Sequence, residues 1–304
     1  MEFIRPDTRY DFIGKKKFTI WISAIAILLS LGSIVAQGGL KYGVDFAGGL
    51  LVQVKFAKPI EIAGVRSGLE AMGFKDANVQ KFGETDEFLV RVEKASEDLE
   101  NVSKMIQSSL RERFKDQGPE IRRVELVGPK VGKDLKTKAL WATALSFLAI
   151  LIYVAIRFHT FAYGLGGIVA LLHDIIITFG AISLLRLEFS LSLLAVILTI
   201  IGFSINDTIV IFDRVRENIK KLRKENLSTI FNISINETLG RTILTSGTVM
   251  MVVLILFFFG GPVIHDFALA MIIGLISGVY STVYVASPVV LMWEKYVTNR
   301  RRRR

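Results

Sequence analysis

Residues 201–214 read IGFSINDTIVIFDR, which sets Asn206 and Asp207 side by side inside an apolar run beginning near Phe189, with a second acid at Asp213. A carboxylate in hydrocarbon costs at least ~2.5–3.5 kcal/mol, so it needs a cationic or hydrogen-bonding partner or a water-filled path. Thr199, Gly202, Asn206 and Asp207 follow one another at three- and four-residue steps, which places them on one side of a helix that can face other helices. Asp174 stands beside His173 in LLHDIII, inside another apolar run. Arg241 opens a further one and is followed by Thr242, Thr245 and Ser246. Asp207 and Arg241 are expected at one level of the membrane, either as a structural ion pair or as a pair that changes charge. Asp213, beside Arg214 and Arg216, is expected at the membrane exit.

The elements that must carry these residues follow from hydropathy. The chain has 304 residues, 51% of them hydrophobic, and a mean hydropathy of +0.47, more apolar than one soluble core requires. A bilayer core of ~30 Å takes ~20 apolar helical residues. Six segments qualify: 18–36, 139–156, 164–185, 189–212, 242–260 and 267–291. The first follows Lys15, Lys16 and Lys17, but its apolar run exceeds that of a signal peptide, and it reads as a retained anchor. Gly274 and Gly278 on the sixth segment form a small-xxx-small pattern suited to close helix packing.

Charge orients the spans. Nineteen Lys or Arg lie in the short segments on one side: five before the first span, Arg157, seven between the fourth and fifth spans, and six in the tail. The opposite short loops carry Arg186. Both termini are therefore expected in the cytoplasm. The organisation expected is a cytoplasmic N-terminus with the first span over 1–36, an external domain over 37–138, and five spans over 139–304 with a polar cytoplasmic loop at 213–241. The terminal arginines 300–304 read as a topology and lipid-surface signal, not a nucleic-acid tail.

The external segment alternates strand and helix patterns. LLVQVKF (50–56), ANVQKF (77–82), EFLVRVE (87–93) and EIRRVELVG (120–128) read as strands. Residues 60–73 and 96–114 read as helices, the second with Ser96 as its N-cap. The β-α-β-β-α-β order predicts a ferredoxin-like α+β domain.

Several chemistries are excluded or unsupported. There is no cysteine, and the three histidines, His159, His173 and His265, lack metal-site spacing. No zinc-protease or P-loop motif occurs, and the GLGG at 164–167 follows no strand. No nucleophile, base and metal constellation is present. The expectation is a non-enzyme without cofactor or metal.

YGVDFAGG (42–49) after the first span, HD (173–174) in the third, and GFSINDTIVIFDRVREN (202–218) closing the fourth resemble the SecF branch of the SecD/SecF family of protein-export membrane subunits. The resemblance runs along the whole chain. It implies an α-helical polytopic membrane protein of the bacterial cytoplasmic (inner) membrane, with a six-helix half-bundle of the resistance-nodulation-division type. It implies SecD as a partner with a similar bundle, assistance to the SecYEG translocon in moving preproteins, proton motive force as the energy source, and YajC as a further contact. With no second six-span half, the chain looks like the unfused form. The family's membrane acid maps onto Asp207 and its membrane arginine onto Arg241; Asn206 and Asp174 join them as candidate members of a proton path. Asp207 would load and release a proton as Arg241 approaches and withdraws. Half of a proton-driven small-molecule or lipid exporter, and a non-transporting assembly scaffold, are the competing readings.

The charge asymmetry makes one direct prediction. Cysteines introduced at Lys75 and Asn226 are expected to react with an impermeant thiol reagent from opposite sides of the membrane; reaction of both from one side would refute the orientation.

Overall fold

The computed structural model describes residues 10–71, 73–74, 77–82, 86–92, 99–158 and 160–302. Contacts divide them into two compact units. One comprises Met1–Lys41, Thr143–Leu187 and Ser192–Arg304; the other comprises Tyr42–Ala142 and Glu188–Leu191. Among the described residues, six helices are long and apolar enough to cross a membrane: Ile13–Ala36, Pro129–Arg157, Phe161–Leu184, Leu191–Lys221, Leu227–Phe259 and Ile264–Arg300.

The first unit is a helix bundle of α1 (Lys16–Ala36), the later part of α5 (Pro129–Arg157), α6 (Phe161–Leu184), α7 (Leu191–Lys221), α8 (Leu227–Phe259), α9 (Gly261–Ser281) and α10 (Ser287–Arg302). A π-helical segment, Thr282–Ala286, joins α9 to α10. Water supplies no drive for association inside a bilayer, so small residues that bring helices close decide the contacts. Gly180 of α6 abuts Ser30 of α1, and Gly274 of α9 abuts Ile200 of α7. A methyl group at Gly278 would lie 3.3 Å from Ser204 Cβ, and one at Gly166 would lie 2.8 Å from the Ala286 carbonyl oxygen. Gly274 and Gly278 thus do pack the sixth span closely, against the fourth. At one end Phe212 meets Phe158, Tyr163 and Phe231 at ring separations of 5.6, 5.1 and 6.3 Å, joining α5, α6, α7 and α8.

Within the polar segment 213–241 the two flanking helices extend to a short turn at 222–226. α7 runs on to Lys221, and α8 starts at Leu227, capped by Asn226, whose side chain accepts from the Thr229 N–H at 2.9 Å. Val215, Asn218, Ile230, Phe231 and Ser234 are buried between the two extensions, so one face of each is a packed face. Asn232 and Asn236, one turn apart on α8, also grip the chain ahead of α1. Their amides donate to the Tyr10 carbonyl at 2.9 Å each, and their oxygens accept from the Phe12 and Tyr10 N–H groups at 2.8 and 2.9 Å.

The second unit carries the four-stranded antiparallel sheet β2-β3-β1-β4, from β1 (Gly49–Phe56), β2 (Asn78–Lys81), β3 (Glu87–Val92) and β4 (Pro119–Val127). Helices α3 (Ile62–Ala71) and α4 (Leu99–Arg113) complete the ferredoxin-like β-α-β-β-α-β order. Leu50, Val52, Val54 and Phe56, alternate residues of β1, pack with Phe88, Val90, Leu69, Ile106 and Leu110 in its core. The N-cap expected at Ser96 lies outside the described residues.

Sequence pattern did not reveal the return segment 188–191 that joins this unit. The YGVDFAGG motif holds it. The Gly43 N–H donates to the Phe189 carbonyl at 2.9 Å, and the Asp45 carboxylate accepts from the Leu191 N–H at 2.9 Å. Phe46, in the short helix α2 (Val44–Ala47), stacks on Phe189 at 5.6 Å. Buried Arg91 donates to the Tyr42 carbonyl at 2.7 Å. Gly48 has φ +75°, and a methyl there would lie 3.1 Å from Pro129 Cα at the start of α5.

Gly48→Ala therefore meets both a left-handed backbone and a backbone neighbour. It is expected to lower stability by more than ~1 kcal/mol. Gly64→Ala, in α3 with ordinary contacts, is expected to raise stability by up to ~1 kcal/mol through helix propensity. Thermal unfolding of the purified chain checks both; equal melting temperatures would contradict the role given to the turn.

Candidate functional site

A buried acid, Asp174, lies in the middle of α6 and is 1% exposed. Its carboxylate receives hydrogen bonds from two neighbouring helices, α7 and α9. Ser277 Oγ donates to Oδ1 at 2.6 Å, while Ser281 Oγ and Ser204 Oγ each donate to Oδ2 at 2.7 Å. His173 Nδ1 lies 3.0 Å from Oδ1. Ser277 and Ser281 are four residues apart on α9, so both hydroxyls leave one face of that helix. Ser204 reaches in from α7, where Gly278 lets the two helices approach. A carboxylate offers about four lone-pair directions, and three hydroxyls and a ring nitrogen surround them here.

The second buried acid is Asp207, 3% exposed and one turn along α7 from Ser204. Its Oδ2 accepts from Ser246 Oγ on α8 at 3.3 Å. Arg241 and Asp207 do not form an ion pair: the Arg241 side chain is exposed, although its charge remains within electrostatic reach of the carboxylate. Asn206 is exposed on α7. Among the described residues, neither Asp174 nor Asp207 has a Lys or Arg nitrogen within 4 Å, the ion-pair distance. Two buried atoms in the spans have no hydrogen-bond partner, His173 Nε2 beside Asp174 and Thr242 Oγ1 one turn before Ser246.

α7 links the two acids. Thr208 Oγ1 lies 3.0 Å from Thr282 Oγ1, while neighbouring Asp207 faces α8. Asp213 binds Arg157 and lies 3.7 Å from Arg216. Arg214 donates to Glu237 at 2.7 Å, and Asn218 donates to the same carboxylate at 2.6 Å and to Ser234 at 3.0 Å. These contacts lock the α7–α8 hairpin. The structure thus brings Asp174 together with His173 and three serines, and Asp207 together with Ser246. Sequence reading missed Ser204, Ser277 and Ser281; their signal was hydroxyls spaced along one face of otherwise apolar helices.

Comparison with known proteins bears on this arrangement. Residues 106–296 match the family model described as protein export membrane protein SecD/SecF, C-terminal. The chain belongs to the SecD/SecF family. Residues 33–60 also match the SecD/SecF GG motif, which here contains the Gly48 turn and the Asp45 contact with the return segment. A protein translocase subunit SecF from Endomicrobium trichonymphae is 40% identical over 301 residues, 99% of this chain and 96% of that protein. One from Magnetococcus marinus is 43% identical over 298 residues, covering 97% and 95%. The crystal structure of SecDF, a translocon-associated membrane protein from Thermus thermophilus, matches with a TM-score of 0.84 at 36% identity. SecDF in a super-membrane-facing form matches with a TM-score of 0.72 at the same identity. This chain spans 40% of the length of each of those two structures and 96–97% of its own. It is a multi-pass membrane protein similar over nearly its full length to SecF subunits.

The hydroxyl cage around Asp174 has a measurable worth. Hydrogen bonds to a charged group contribute ~1.5–3 kcal/mol each. Ser204→Ala and Ser281→Ala, which remove the two donors to Oδ2, are each expected to lower stability by about that amount. Because they share an acceptor, the double variant is expected to depart from additivity by ~0.5–3 kcal/mol. Thermal unfolding of the chain in lipid nanodiscs checks this; singles that melt like the parent would show that the cage contributes nothing.

Proposed function

We propose that the chain acts as the SecF-type half of a SecD–SecF complex in the bacterial cytoplasmic membrane. Both termini lie in the cytoplasm and the ferredoxin-like domain lies outside. The complex assists SecYEG-dependent movement of preproteins, using the proton motive force. The observation that carries this reading is the pair of carboxylates, Asp174 and Asp207, buried in an apolar bundle without an ion-paired cation. A bundle that needed polar residues only for packing would gain nothing from charges whose desolvation exceeds what they return. Asp207, met by the Ser246 hydroxyl and by no ion-paired cation, carries when ionised a net charge that a proton can cancel.

In this scheme Asp207 loads a proton from the outer side and releases it to the cytoplasm. Arg241, exposed and one helix away, swings toward the carboxylate when it is ionised and away when it is protonated. Each proton that crosses releases ~2.3 kcal/mol per 100 mV. That energy rocks the bundle and moves the external domain, which holds or draws the emerging preprotein. The naming of relatives as translocase subunits and the likeness to SecDF support the assignment of cargo and partner.

A partner bundle also accounts for the outer face of α7. Thr199, Gly202 and Asn206 are exposed along one stripe of that helix, and Gly202 meets nothing within 4 Å. Polar side chains in a span avoid lipid. A SecD bundle packed on this stripe would cover them and enclose the path beside Asp207.

Asp207→Asn keeps the size and hydrogen bonding of the side chain but cannot ionise. It is expected to assemble with SecD and to abolish the stimulation of late translocation by a proton gradient, measured in sealed vesicles carrying the full export machinery. The double variant Asp207→Asn with Arg241→Gln separates transport from a structural pair. If it exports at the parental rate under a gradient, Asp207 is not the proton carrier. If it assembles but no longer responds to the gradient, the proton role stands.

A further inference from the structure

One buried base has no part in the scheme above. His173 is 4% exposed, and its Nε2 meets no hydrogen-bond partner. An unpaired polar atom in the interior costs ~1–3 kcal/mol, which an apolar side chain would avoid. The surroundings fix what that atom is. Asp174 already receives the Ser204 and Ser277 hydroxyls, and Ser281 Oγ lies 2.7 Å from the carboxylate and 3.1 Å from the Gly278 carbonyl, its other acceptor. These donors can solvate the ionised acid, and an ionised acid next to His173 Nδ1 requires that nitrogen to carry the hydrogen. Nε2 then bears the lone pair.

Tyr280 cannot satisfy it. Its hydroxyl donates to the Thr19 carbonyl at 2.7 Å and accepts from Ser23 Oγ at 3.1 Å, so both of its roles are used on α1. Its ring instead lies against the imidazole, with centroids 5.9 Å apart and planes at 26°. A protonated imidazole in this position would have a carboxylate at Nδ1 and an aromatic face within ~6 Å as its neighbours. The other neighbours do not oppose it. α9 contributes Tyr280 with the two serines, and the π segment contributes Tyr284, 5.2 Å from Tyr280. α1 contributes Thr19 and Ser23, α7 contributes Ser204, and α10 meets α6 through Val290 at Gly166. Among the described residues no Lys or Arg forms an ion pair with Asp174.

We propose that His173 and Asp174 form a second proton-binding site of the bundle, in which Nε2 takes the proton and Asp174 remains a carboxylate. Asp174 holds the ring in its Nδ1–H form and offsets the charge that appears. Uptake forms an N–H bond at Nε2, and the hydronium that delivers the proton leaves as water. The proposal deepens the proton-driven reading, on which its use in transport rests. It moves the charge change at this level of the bundle from the acid to the histidine.

The test measures proton occupancy without transport, so a failure of the export scheme leaves it readable. The variant His159→Gln with His265→Gln retains His173 as its single histidine and leaves the cage untouched. Labelled with 15N-histidine and placed in lipid nanodiscs, the full chain is titrated by solid-state NMR. The expected result is a neutral ring protonated at Nδ1 that loses its unprotonated Nε2 resonance reversibly as the pH falls. Asp174→Asn added to this variant removes the offsetting anion, so the charged-ring signal should be weaker at any given acidic pH. A ring that keeps one neutral form over the whole range in which the chain stays folded would overturn the proposal. So would a titrating Asp174 carboxyl carbon beside an unchanging ring.

Discussion

An ionised carboxylate in a medium of low dielectric must be solvated by the protein itself, and Asp174 shows how that requirement organises the bundle. Its oxygens draw donors from α7 and α9 onto α6, and each donor is a short serine. A serine hydroxyl reaches only when backbones approach closely. The approach is made at glycine: Gly278 beside Ser204, and Gly274 against Ile200. The carboxylate and the glycines are therefore one device. A larger residue at either glycine would separate α9 from α7 and strand the charge. An arginine could neutralise Asp174 from farther away, but it would bring a fixed cation beside His173, where neutral hydroxyls bring none.

The fourth-span motif is long because successive residues of one helix serve different neighbours. Residues about 100° apart on a helix of 3.6 residues per turn face different elements. Ser204 completes the Asp174 cage, Asn206 faces outward, Asp207 turns to Ser246 on α8, and Thr208 meets Thr282. One turn later Phe212 enters the aromatic cluster, Asp213 binds Arg157, and Arg214 with Asn218 holds Glu237. The acid that reads as chemistry and the residues that read as its flank are thus parts of a single α7 that contacts α5, α6, α8 and the sixth span. A movement of α7 would be felt by both buried carboxylates and by the hairpin together.

The spans were legible because length and apolarity suffice to define them, and the β-α-β-β-α-β order was legible because strand and helix periods differ. Side-chain pairing was less so. Helix spacing brings Asp207 and Arg241 to one level, but it does not set rotamers, and the arginine lies exposed while a serine meets the acid. The caging serines carried little signal, because a hydroxyl in a span commonly bonds its own helix: Thr178, Thr199 and Ser234 do so, each to the carbonyl four residues back. The segment 213–241 read as a loop because its charges resemble one, yet its buried face is made of Val215, Asn218 and Phe231. The return segment 188–191 is held by residues about 145 positions earlier, such as Asp45, and no local pattern encodes that.

The π segment in the sixth span follows from the same packing demand. Ser281 must face α6 for its hydroxyl to reach Asp174, and the Ala286 carbonyl lies against Gly166 of the same helix. Five residues along an ordinary α-helix turn the second side chain about 140° away from the first. The i→i+5 pattern of a π turn stacks residues five apart instead. Thr282–Ala286 adopts that pattern, and Ser287 Oγ donates to the Thr282 carbonyl five residues back at 3.2 Å. One helix can then keep the Ser281 hydroxyl and the Ala286 backbone against a single neighbour. The cost is a weaker turn adjoining Ser281 and Thr282, which hold the sixth span to the Asp174 cage and to Thr208 of α7. Relaxing that turn to α-helix would rotate Ser281 and Ala286 out of line with each other, so the geometry of the cage and the packing at Gly166 can change only together.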